Sequence, residues 1–158
     1  MKRLLLIVVI VACQKPDDLP ALRDEAHATV AYYDAQLDQL ETRKQAIVRN
    51  GLKIDRVLPG GDEVGSMMLT TNNGLIELRK RLTDAATQLA AANTADDIRS
   101  RTERYRELAE DGLGSGTDHV AVPSVAAIGA ALTLAESWVA HAQAEMAASG
   151  SGSAIIRP

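Results

Sequence analysis

Large aromatic side chains are scarce in this chain, with one Trp, three Tyr and no Phe among 158 residues. A core without aromatic bulk has to be filled by Leu, Ile, Val, Met and Ala, and alanine favours helices while disfavouring strands. A basic stripe is also missing. The 17 Lys and Arg are outnumbered by 21 Asp and Glu, for a net charge of −4. Such an acidic chain is a poor match for a phosphate backbone, so nucleic acid is excluded as a partner. The single cysteine, Cys13, has no intramolecular disulfide partner, and one thiol cannot assemble an iron–sulfur site. No Gly-x-Ser-x-Gly elbow, His-Glu-x-x-His helix or Cys-x-x-Cys-His haem motif occurs. No enzymatic activity and no cofactor are therefore expected. Solenoid-type repeats and strand-like alternation are absent too, and the length suits one domain.

The amino terminus is the most explicit part of the sequence. Lys2 and Arg3 precede an uninterrupted apolar run from Leu4 to Val11, followed by the small Ala12 and then Cys13. Eight apolar residues are too few for a membrane-spanning helix, which needs about 20 to cross a hydrocarbon core roughly 30 Å thick. They suit the h-region of a signal peptide. The string Ile10-Val11-Ala12-Cys13 resembles the lipobox of bacterial lipoproteins. That resemblance implies removal of residues 1–12, a diacylglyceryl thioether on Cys13, and acylation of the new amino terminus. It covers only the first 13 residues. Lipidation would also remove a lone free thiol from an oxidising compartment. In lipoproteins retained at the inner membrane an Asp commonly follows the cysteine. Here Gln14 follows, which implies the periplasmic face of the outer membrane in a Gram-negative source. Loss of Lys2 and Arg3 leaves 15 basic against 21 acidic side chains, so the mature chain carries −6. Residues 13–20, polar and twice interrupted by Pro, read as a lipid-anchored tether.

The remainder reads as helices. Over residues 19–49, Leu19, Ala26, Val30, Tyr33, Leu37, Leu40 and Ile47 recur near heptad spacing, with Arg23 and Lys44 interrupting the seam. Asn50-Gly51 ends this helix, and Pro59-Gly60-Gly61 marks a turn. From Val64 to Ala92, apolar or small residues step by threes and fours without losing frame, a register that one long helix from about Asp62 to Ala92 would explain. Thr70-Thr71-Asn72-Asn73-Gly74 is nevertheless a poorly helical string. A firm helix is expected only over 75–92, with a shorter, kinked or separate piece before it. Thr94 and Asp97 form a loose capping box for a third, densely charged helix reaching about Glu110. Ser124 caps a fourth helix ending near Ala148, uncharged from Val120 to Ala135 and so suited to the middle of a bundle. The expected fold is all-α: residues 21–150 form a single four-helix bundle, mostly antiparallel, with residues 151–158 as a flexible tail.

Candidate chemistry is thin. Asp24 with His27, and His141 with Glu145, are spaced to share helix faces, and a bundle that brought the two pairs together would make a metal site. Solvated surface pairs are the plainer expectation, and no metal is assigned. Gly112-Leu113-Gly114-Ser115-Gly116 lacks the Lys-Ser/Thr pair of a phosphate loop and reads as a flexible connection. Asp118-His119 lies within the same glycine-rich stretch. Met67-Met68-Leu69 suits a core plug, or an adaptable partner contact if exposed. Two functions follow in order. The first is a membrane-tethered structural or interaction subunit of the cell envelope, joined to the membrane through Cys13 and to an envelope protein partner. The second is a bundle holding a metal or a small apolar ligand. Leu132 is expected at the bundle centre with Ile128, Ala135 and Val139. Arg101 is expected on a solvated face, where its loss changes stability by less than about 0.5 kcal/mol.

Overall fold

Sequence periodicity of 3.6 is carried into four helices: α1 (Leu19–Gly51), α2 (Gly61–Ala90), α3 (Ala95–Asp111) and α4 (Val125–Gly152). The structure is a computed structural model that describes residues 18–51, 61–114 and 121–152. The expected signal peptide, Cys13 with most of the expected tether, Asp118-His119 and residues 153–158 lie outside the described residues. Among the described residues there is no strand, only an isolated bridge between Leu113 and Val122. The all-α, four-helix bundle is as expected.

The helix starts are set by short polar side chains. Asp18 accepts from the backbone N–H of Ala21 at 3.4 Å, Thr94 from Asp97 at 3.2 Å and Ser124 from Ala127 at 3.2 Å. Each satisfies one of the N–H groups that a helix start leaves unpaired. The α3 C-terminus closes on Gly112, whose N–H donates to the Leu108 carbonyl at 3.1 Å with φ of +71°. A fourth helix end differs from expectation. α4 runs through Ser149-Gly150 to Gly152, past the stop expected near Ala148.

Cross-helix contacts set the topology. α1 and α2 are antiparallel, joined by Arg23 to the Ala92 carbonyl, Arg79 to Asp38 and Lys44 to Asn72. α3 runs beside the first half of α1, with Arg106 near Glu25 and Glu110 bonded to Tyr33. α4 runs beside the second half of α1, with Leu40 against Gly129 and Arg43 on Glu136. α3 and α4 thus follow one another in the same direction along one column, and α2 lies antiparallel to all three other helices. α1, with 33 residues at about 1.5 Å each, is about 50 Å long, and α4 continues past its end, since Val139 is level with Gly51.

Leu113 after α3 and Val122 before α4 are joined by paired backbone bonds of 2.8 and 2.9 Å. Gly112 is required there: a Cβ would stand 2.2 Å from the Val122 carbonyl oxygen, on a backbone already at positive φ.

The periodic apolar lines become the core. Leu37, Leu78, Tyr105, Ile128, Leu132 and Ala135 are all fully buried or nearly so. α4 is long and apolar enough over Val125–Ser149 to cross a membrane by composition alone. One face of it, carrying Ile128, Leu132, Ala135, Val139 and Ala142, is buried in the bundle core. Ala26, Leu89, Ala92 and Ile98 form a second, smaller cluster at the α1 N-terminal end.

Over residues 70–74 the one-long-helix alternative holds, and the kinked or separate piece does not form. α2 is a single continuous helix through Thr70–Gly74. Thr70 and Thr71 bond back to the carbonyls of Ser66 and Met67, which satisfies their hydroxyls inside the helix. Asn72 accepts from Lys44 at 2.8 Å, which also explains why a lysine sits in the α1 seam. Gly74 lies where α2 passes Pro123, and a Cβ there would come within 2.6 Å of the Pro123 ring. Tertiary contacts override weak propensity. Of the methionine cluster, Met67 and Met68 pack against the core while Leu69 is exposed.

Arg101 also differs from expectation. Its guanidinium bonds Asp97 at 2.7 Å and reaches across to the Gln88 carbonyl, capping the α2 C-terminus from α3. Arg101→Ala should therefore cost about 1 kcal/mol, more than a solvated arginine would. Leu132→Ala, at a position with no exposed surface, should cost about 2–5 kcal/mol. Gly74→Ala should destabilise although alanine is the better helix former, because the gain of about 1 kcal/mol in propensity is outweighed by the clash with Pro123. Asn73→Ala, one residue earlier on an exposed position, should stabilise by a few tenths of a kcal/mol. Urea unfolding of the four variants checks all of these; Gly74→Ala unfolding later than the parent would refute the close-approach account.

Candidate functional site

Two places concentrate polar groups among apolar neighbours, and both lie on α1. The first is a tyrosine cluster where α1 meets the end of α3. All three tyrosines of the chain gather there: Tyr32 and Tyr33 stack edge-on with ring centroids 5.0 Å apart, and Tyr33 and Tyr105 lie 6.1 Å apart. Tyr33 and Tyr105 take their places as apolar positions in the two helical periods, and both are buried. Their hydroxyls, which periodicity does not register, meet different fates. Tyr33 donates to the Glu110 carboxylate. Among the described residues the Tyr105 hydroxyl is buried without a hydrogen-bond partner.

Burial, and then the hydrogen bond and negative charge of Glu110, raise the Tyr33 pKa. Burial, with the charge of Asp34 as a smaller cause, pushes Tyr105 up to about 12. Elsewhere Arg43 holds the Glu136 carboxyl below its usual value through a bidentate contact at 2.7–2.8 Å. That pair ties α1 to α4 and is half-exposed, so it is a structural clamp rather than a reactive site.

The second place is a groove of about 240 Å³ between the first half of α1 and the last turns of α2. Ala26, Val30, Leu89 and Ile98 make its floor, and Ala86 and Ala90 its α2 wall. Arg23 and His27, one helical turn apart, stand on its α1 side. Among the described residues no carboxylate lies within ion-pair distance of either, and Arg23 makes only one long contact, 3.5 Å to the Ala92 carbonyl. A wider depression between α2 and α4, lined by Ser66, Thr70, Ala127 and Ala131 among others, carries no cation.

The candidate metal pairs do not converge. His27 faces the groove near Leu89, whereas His141 lies beyond Val139, which packs at Gly51. The separation along α1 is roughly 35 Å. His141 is exposed and pairs with Glu145 at 3.3 Å, and Asp24 is exposed on α1. Among the described residues no three His, Cys, Asp or Glu side chains are grouped to hold a metal ion. Cys13, the lipidation candidate, lies outside the described residues. No family model, curated protein or solved structure matches the chain.

The tyrosine cluster makes a pH prediction. Both phenol pKa values are raised on folding, so the folded state favours the neutral phenols. That contribution is complete below pH 10, the unfolded value, and is lost as pH rises towards 12. Stability should therefore fall steeply above pH 10. Tyr105→Phe should soften that fall and, by removing an unsatisfied buried hydroxyl, leave stability at pH 7 unchanged or higher. Tyr33→Phe should cost about 1–2 kcal/mol at pH 7 through loss of the Glu110 bond. Urea midpoints at pH 7 and pH 11 test the set. A loss at pH 7 for Tyr105→Phe matching that for Tyr33→Phe would show that its hydroxyl is partnered.

Proposed function

We propose that this protein is a lipoprotein of the bacterial cell envelope, tethered to the membrane through Cys13, in which a helical rod serves as a structural or interaction subunit. The observation that carries this reading is the ordered string Lys2-Arg3, Leu4–Val11, Ala12, Cys13 at the extreme amino terminus. Two or three acyl chains anchor far more firmly than one, at about 0.8 kcal/mol per buried CH₂. Residues 14–18 then span at most about 17 Å, which keeps the α1 N-terminus close to the bilayer.

The bundle geometry suits the role. With the anchor at the start of α1, whose 33 residues span about 50 Å, the end of α1 and the start of α2 lie far from the anchor. In a Gram-negative cell, Gln14 after the lipidated cysteine directs the protein to the periplasmic face of the outer membrane. The partner is an envelope protein met by the rod, and the role is non-catalytic. A second reading, a bundle that binds a small apolar ligand, is favoured by the groove between α1 and α2.

Metabolic labelling with a palmitate analogue in the native host tests the anchor. The wild-type chain should take up label and lose residues 1–12, and Cys13→Ala should do neither. Labelling that persists in Cys13→Ala refutes the assignment, because no other cysteine can carry the thioether.

A further inference from the structure

We infer that the groove between α1 and α2 binds a single-chain lipid carboxylate, with its hydrocarbon along the floor and its carboxylate on Arg23. The inference is independent of lipidation at Cys13. It goes beyond the scaffold role by giving the bundle a ligand of its own.

The chemistry of the groove is one-sided. Its floor, from Ala26 and Val30 across to Leu89 and Ile98, is aliphatic. Small side chains on α2, Ala86 and Ala90, keep the cleft open where larger ones would close it. A polar solute would find no hydrogen-bonding partners along this floor, whereas a methylene chain gains from leaving water. The side chains that can bind a polar end are both on one wall. Arg23 is an exposed cation without an ion pair among the described residues, and His27 lies one turn further along the same helix face. Arg23's contact to the Ala92 carbonyl uses one N–H, and its guanidinium retains donors for a carboxylate. Charge complementarity therefore selects an anion at one end, and the floor selects an apolar chain behind it. At about 240 Å³ the cleft lies just below the usual range for small-molecule sites, roughly 300–1,000 Å³, which favours one narrow chain over a two-chain lipid.

Decanoate is a soluble probe of that class, and isothermal titration calorimetry of the full-length chain reads its binding directly. Saturable one-to-one binding is expected. Decanol, which has the chain without the charge, should bind about tenfold more weakly, and Arg23→Gln should weaken decanoate by a similar factor while leaving decanol unchanged. Ala90→Phe, at an exposed position on the groove wall, should abolish binding of both with the melting temperature retained. If Ala90→Phe melts earlier than the parent, the Arg23→Gln comparison decides alone. Absence of saturable decanoate binding, equal affinities for decanoate and decanol, or affinity unaltered in Arg23→Gln would each overturn the proposal.

Discussion

The passage of α2 across Pro123 is the constraint on which the arrangement of the bundle depends. One long helix has to serve two shorter ones placed end to end, so it must cross their junction without being pushed away from the column. Gly74 permits that crossing: a side chain there would sit 2.6 Å from the proline ring. The junction on the other side is held by Gly112 at positive φ and by the Leu113–Val122 bridge. The two glycines solve different problems. Gly112 supplies a backbone conformation that L side chains rarely adopt; Gly74 is ordinary helix and supplies only space.

With the junction in place, the polar ties fall along α1 and α2 in register. Lys44 reaches both Glu41 and Asn72, Arg79 reaches Asp38, and Arg43 clamps Glu136 on α4. Exposed pairs of this kind add little stability individually. Their value lies in register, because each selects one longitudinal offset among several that an alanine- and leucine-rich interface would accept. Arg101 adds a tie of another sort, capping one helix from its neighbour and holding the α2–α3 turn against slippage. Burial of Leu37, Leu78, Tyr105 and Leu132 supplies the larger driving force.

Where α3 lies beside the first half of α1, a cleft remains between α1 and the end of α2. At the α1 N-terminal end the thinner cluster around Ala26, Leu89 and Ile98 borders this cleft, with Arg23 and His27 beside it. In the lipoprotein reading this is the end nearest the bilayer, where lipid carboxylates are at hand. The proposed scaffold and ligand-binding roles are thereby compatible within one molecule.

Helix identity was legible in the sequence because burial follows a period of 3.6. Ile128, Leu132, Ala135 and Val139 are predicted on one face, and all four are buried. Thr94 and Ser124 are predicted as caps and both accept the expected backbone bonds. Local signals of this kind are complete within a few residues. Continuity of α2 through Thr70–Gly74 was only half legible: the unbroken apolar frame allowed it, but the contacts that favour it, Lys44 and Pro123, lie some thirty and fifty residues away in the chain. The groove was hidden: Arg23 reads as a flaw in an apolar seam until α2 is laid beside it. Which segments are helical and which face of each is apolar depend on near neighbours, so both can be read along the chain. That α3 and α4 share a column, that Arg101 caps α2, and that Tyr105 buries a hydroxyl unpaired among the described residues depend on which surfaces meet, and so emerge only with the packed fold.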